Sequence, residues 1–218
     1  MEQESTKDVI KKFYHMNQKL IACISLLEDA FVFNNMEFVD KCATKANDIR
    51  QVTNFLSGAG ISDDVRVYMR SMENIDGMVD CISQICANLR IKIRNSVVFS
   101  ERAVLEVSFL LARLQDVLKH LSDIVLSRKV SPKDTVESGH YPWASSHVPL
   151  SRDVILCEYV LVSVSEIIKN ADEFIAMHQG RLVVGICDPT AAPLFMHMLD
   201  AIKEIAKHAR EVADKLAE

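Results

Sequence analysis

The sequence predicts an all-α protein of six long helices, packed as two three-helix-bundle repeats. Three observations carry that prediction. Apolar residues return at alternating gaps of three and four along six separate stretches, which is the seam of a helix packed in a bundle. Only 6 glycines and 5 prolines occur in 218 residues, so little interrupts a helix. No useful length alternates apolar and polar residues at period two. Arg181–Cys187 is the one β-like run, and it is short.

The first helix, roughly 5–33, carries Phe13, Met16, Leu20, Ile24, Leu27 and Phe31 on one face, and Asn34-Asn35 breaks it. The second, roughly 36–57, carries Val39, Cys42, Ala46, Ile49 and Leu56, and is closed by Ser57-Gly58-Ala59-Gly60, where glycine suits the C-terminal cap. The third opens at Ser62, with Asp63 and Asp64 in the first turn, where carboxylates complement the helix dipole. Its seam is the longest, from Val65 and Tyr68 through Met72, Ile75, Val79, Ile82, Cys86 and Leu89 to Ile93. The fourth starts at Ser100 and carries Val104, Val107, Leu111, Leu114, Leu118, Leu121 and Val125. The fifth opens near Ser151 and carries Val154, Cys157, Leu161, Val164, Ile168, Ala171 and Ile175. The sixth follows Asp188-Pro189, with Asp as N-cap and Pro in the first turn, and carries Phe195, Met198, Ile202, Ile205, Ala209, Val212 and Leu216. Two units are expected, 1–98 and 99–218, with the first helix matching the fourth, the second the fifth and the third the sixth.

Composition bounds the function. The net charge of −5 and pI of about 5.8 come without a basic stripe, which disfavours nucleic-acid binding. No run of about 18 apolar residues is present, so no segment is expected to span a bilayer. The mixed polar start, MEQESTKDVIKKF, does not read as a signal peptide. The six cysteines form no C-x-x-C pair and fall mostly on apolar stripes, which reads as buried, reduced thiols in a cytoplasmic protein.

Catalytic signatures are scarce, and a non-enzymatic protein is expected. The sequence has no G-x-S-x-G, P-loop, dinucleotide fingerprint or H-E-x-x-H, and no E-x-x-H on any of the six predicted helices for a di-iron bundle. Glu73, Asp76 and Asp80 share a face of the third helix at i, i+3 and i+7. They read either as a solvated flank or as ligands for a hard cation such as iron or another divalent or trivalent ion. Asp116, His120 and Asp123 share a face, as do Glu204, His208 and Glu211. With Lys119 and Lys207 beside them, both read as charge-paired surface. The long loop of about 130–150, with His140, Tyr141, Trp143 and His147, reads either as a partner anchor or as a plug folded back on the bundle.

At the last helix, Ile205-Ala206-Lys207-His208-Ala209-Arg210-Glu211-Val212-Ala213 resembles the E-R-I-A-D-H-A-x-N-I-A helix of PhoU and PhoU-like proteins. Glu73 to Ile82 resembles the matching helix of the first half, and Asn170 to Phe174 the E-A-D segment of the branch found beside Pit-type phosphate permeases. The resemblance implies a regulatory or accessory role in phosphate transport or its signalling. It implies docking on a permease or sensor, without a membrane span of its own, and self-association as a dimer. It also implies surface metal clusters on E-x-x-x-D motifs, from which this chain departs. Lys203 and Lys207 stand at those positions in the sixth helix, Gly77 replaces the later Asp in the third, and Asn170 replaces an acid in the fifth. Arg50, Val52 and Asn54 stand where the second helix would carry acids. An adaptor outside phosphate biology, or a metal-binding bundle, is the alternative.

Overall fold

A computed structural model describes residues 6–57, 66–127 and 152–217. The elements are α1 (Thr6–Phe33), α2 (Met36–Ser57), α3 (Arg66–Arg70), α4 (Met72–Arg94), α5 (Glu101–Ser127), α6 (Arg152–Val183) and α7 (Ala192–Ala217). The protein is all-α, with no strand among the described residues. The 130–150 loop, Gly58 to Val65 and Ser151 lie outside the described residues.

Local chemistry sets the boundaries. Asn34 adopts φ 52° after α1, and Asn35 Oδ1 accepts the Glu37 N–H at 2.9 Å to open α2. Ser100 opens α5 as its sequence suggests, its hydroxyl accepting the Ala103 N–H at 3.3 Å. Three boundaries differ from expectation. The long third stretch breaks at Ser71, whose hydroxyl turns back to the Val67 carbonyl at 2.9 Å and whose N–H goes to Tyr68 O at 3.1 Å. Of the β-like run, Arg181 to Val183 form the last turn of α6, and Val184 to Cys187 leave the helix. It closes with Ile186 N–H on Arg181 O (2.9 Å) and Gly185 N–H on Leu182 O (3.0 Å), with Gly185 at φ 71°. Asp188 caps a turn by accepting the Thr190 N–H at 2.8 Å, and α7 begins later, with Pro193 rather than Pro189 in its first turn.

The six long helices form a closed ring. α1 packs on α2, α2 on α4, α4 on α7, α7 on α6, α6 on α5, and α5 back on α1. Across the interior, α5 meets α7 more extensively than α1 meets α4. One continuous core runs through all of them. The predicted seams of α1, α2 and α7 are buried throughout. That of α6 is turned: Val154 is exposed, Leu161, Ile168 and Ile175 are half-buried, and the inward row is Cys157, Val160, Val164, Ile167 and Ala171. Valine and isoleucine lie on both sides of this helix, so periodicity alone did not choose its face.

Polar groups pin the two trios to each other. Buried Asn17 of α1 donates to Leu118 O and Ser122 Oγ of α5, both at 2.7 Å. Between α4 and α7, Asn74 donates to Glu211 and lies 3.3 Å from His208 Nδ1, while Lys215 donates to Asn74 Oδ1 and, at 2.9 Å, to Arg70 O. The His208 ring sits over Gly77, where any Cβ would clash with it. At one end of the bundle four rings run in a row. Phe31 lies 5.3 Å from Phe99, Phe99 lies 6.3 Å from Phe195, and Phe195 stacks on His178 at 4.3 Å.

Candidate functional site

The metal candidates lie on α4, turned toward α2, and two of the three carboxylates are engaged there. Half-buried Asp76 accepts the Thr53 hydroxyl at 2.5 Å, Asp80 pairs with Arg50, and Glu73 is exposed. Among the described residues, no three His, Cys, Asp or Glu side chains come together to hold a metal ion. The matching seam of the second half is also closed by charge. Lys203 reaches Asp172 at 2.8 Å and Asp200 at 2.9 Å. Burial works against its charge, and the two carboxylates more than restore it, so its pKa is raised.

The other two stripes divide. Asp116 pairs with Lys119 at 3.0 Å and Glu204 with Lys207 at 2.7 Å, as expected of a surface. His208 and Glu211 instead contact Asn74 across the α4–α7 seam, and His120 packs on the Tyr159 ring at 4.1 Å. All six cysteines are free and buried. The Cys23 and Cys42 thiols each contact the other's carbonyl at 3.7 and 3.6 Å. Contacts with the Cys23 and Cys86 thiols, and burial, push the Cys42 thiol's pKa upward, which suits a core group rather than a nucleophile.

An ion pair between a buried carboxylate and a half-buried guanidinium links α6 to α5. Glu106, 2% exposed, receives the Arg181 guanidinium through two contacts of 3.0 and 2.8 Å, and Arg102 Nε at 3.0 Å. Neighbouring His178 is buried, and burial together with the Arg181 charge lowers its pKa despite the opposing pull of Glu106. Neither Glu106 nor Arg181 was singled out from the sequence. The available signal was Glu106 itself, a carboxylate on the apolar stripe between Ala103 and Leu110.

The feature that an ordinary bundle does not need is the outer face of α5 and α6. On α6, Ile155 (52% exposed), Tyr159 and Val162 (54%) form a row at i, i+4 and i+7. On α5, Leu105 (59%) and Phe109 form a second row one turn apart. Phe109 meets Phe174 edge-on at 6.1 Å, and Arg113 bridges to Glu166 at 2.5 Å between the two apolar stretches. The chain thus presents large apolar side chains, divided by a charged pair, along neighbouring helices. Such a surface suits a protein partner whose contact is apolar with a polar centre.

The chain matches no protein-family model, no curated protein and no solved structure. No helix among the described residues is long and apolar enough to cross a membrane.

Proposed function

We propose that this chain is a non-enzymatic regulatory or accessory protein, resembling PhoU, that acts in phosphate transport or its signalling. In this reading it docks from the cytoplasm on a permease or sensor protein through the α5–α6 face. The apolar row of Ile155, Tyr159 and Val162 carries the docking part of the proposal. The three-plus-three helix order and the C-terminal motif around His208 support the phosphate part. A binding role also accords with a bundle whose inter-helix carboxylates Asp76, Asp80 and Asp172 are engaged by Thr53, Arg50 and Lys203. That same engagement favours, as the second reading, an adaptor that works without metal and outside phosphate biology.

The test is phosphate uptake by cells lacking the protein, complemented with the wild type or with Tyr159→Ser/Val162→Asp. The proposal expects altered uptake without the protein, restoration by the wild type, and none by the double variant at equal abundance. Unaltered uptake in all strains, with the chain present and folded, supports the adaptor reading instead.

A further inference from the structure

A buried cation, Lys92, and a half-buried one, Arg181, lie at the end of the bundle where the four rings are, and they are neutralised differently. Arg181 has Glu106. Lys92, 4% exposed, forms no ion pair with a carboxylate among the described residues. Its ammonium donates to Phe31 O at 3.2 Å and to Asn34 Oδ1, and it lies 5.1 and 5.6 Å from the Phe31 and Phe99 ring centres. An ammonium has three donors, so one is left over. The carbonyl belongs to the last turn of α1, whose end carries only about half an elementary negative charge. Burial lowers the Lys92 pKa, the mark of a cation whose compensation is incomplete.

Beside this ammonium lies a half-open cavity of about 300 Å³. Its walls are mostly apolar, from Val32, Ile93, Val98 and Phe99, and its polar groups are Lys92, Asn34 and Ser96. The only two non-glycine residues with left-handed backbone among the described residues, Asn34 and Ser96 (both φ 52°), line this same cavity. Both follow helix ends. Ser96 sits where glycine is the unstrained choice, and its N–H bonds Ile93 O at 3.2 Å while the Val97 N–H bonds Lys92 O at 2.9 Å. An apolar pocket with one buried cation and a few convergent polar groups is the form of a small-ligand site.

We propose that this cavity binds a small monocarboxylate with a short apolar body, its carboxylate on Lys92 and its hydrocarbon against Val32, Ile93, Val98 and Phe99. A charged acceptor would take the spare donor and supply the missing countercharge. Inorganic phosphate suits the cavity poorly. It has no apolar part for these walls and more oxygens than the local donors can satisfy. The site shares no residue with the exposed α5–α6 rows, so it stands or falls apart from the docking proposal.

The test is calorimetric titration of the full chain with hexanoate, hexanol and inorganic phosphate. Two variants accompany it: Lys92→Met, which removes the cation, and Val98→Asp, which places a like charge at the rim on a residue 76% exposed. Hexanoate should saturate one site, hexanol should bind roughly tenfold more weakly or worse, and phosphate should not compete with hexanoate. Both variants should lose at least about tenfold in hexanoate affinity, with Val98→Asp keeping the wild-type helical melt. The proposal is overturned by no saturable hexanoate binding, by equal binding of hexanol, or by unchanged affinity in Val98→Asp.

Discussion

α2 and α6 occupy matching places in the ring, each packed against the other two long helices of its trio, yet their outer faces differ. α2 is rimmed with ion pairs: Lys19–Asp48 at 2.9 Å, Arg90–Asp40 at 3.0 Å, Arg50–Asp80 and, along the helix itself, Lys41–Glu37 at 2.6 Å. Its large exposed apolar side chain is Phe55, and the Lys12 ammonium lies over that ring at 4.4 Å. α6 carries ion pairs as well, Arg113–Glu166, Lys169–Glu173 and Lys203–Asp172, but exposes Val154, Ile155, Tyr159, Val162, Met177 and Val183. Similar packing duties therefore left the outer face of α6 the more apolar of the two. The core does not dictate the outer face of α6, and under the proposed function a contact beyond the chain covers it.

Substitutions around α6 and at the α4–α7 seam test this contrast. The largest effect is expected where α6 is anchored. Glu106→Gln leaves the Arg181 cation facing a neutral amide, and should lower the unfolding free energy in urea by about 3 kcal/mol. A loss below about 1 kcal/mol would mean that the Arg181–Glu106 pair is not what anchors α6. Next comes the α4–α7 seam. Gly77→Ala forces the His208 ring aside and should cost about 1–2 kcal/mol. In a His208→Ala background the same change should become stabilising by up to about 1 kcal/mol, since alanine is the better helix residue. An unchanged sign would remove steric contact as the reason for glycine there.

The pH dependence is smaller and has a definite direction. His178 has a lowered pKa in the folded state, so the unfolded chain takes up its proton first. Its contribution to stability is present above the unfolded value near 6.5 and is lost as pH falls through the folded value. Below about pH 6.5 this site adds a slope of at most about 1.4 kcal/mol per pH unit. Urea midpoints of His178→Phe, which keeps a ring on Phe195, should fall less steeply over that window than those of the wild type. The smallest stability effect is expected on the outer face. Val162→Asp should change stability by no more than about 0.5 kcal/mol. A larger loss would place Val162 in the core and dissolve the contrast with α2.

Much of the fold was legible because it depends on spacing. The inward rows of α1, α2 and α7 follow directly from residues such as Leu20, Ile49 and Ile202, all fully buried. The face of α6 was not legible, because Val160 and Leu161, or Ile167 and Ile168, are adjacent and equally apolar. The break at Ser71 was missed because Tyr68, Met72 and Ile75 keep helical spacing across it. The candidate carboxylates were found by spacing as well, but spacing along α4 says nothing about Arg50 and Thr53 approaching from α2. Lys92 carried a signal that was passed over: a lysine three residues after Leu89 on an otherwise apolar stripe.

The proposed function requires the α5–α6 face to meet a partner. The most direct measurement places a photo-activated cross-linking amino acid at Val162, and separately at exposed Asn47 on α2, in cells that make the protein. The expected result is a phosphate permease or phosphate sensor attached to position 162 and absent from position 47. No adduct from position 162, or the same adducts from both helices, would contradict it.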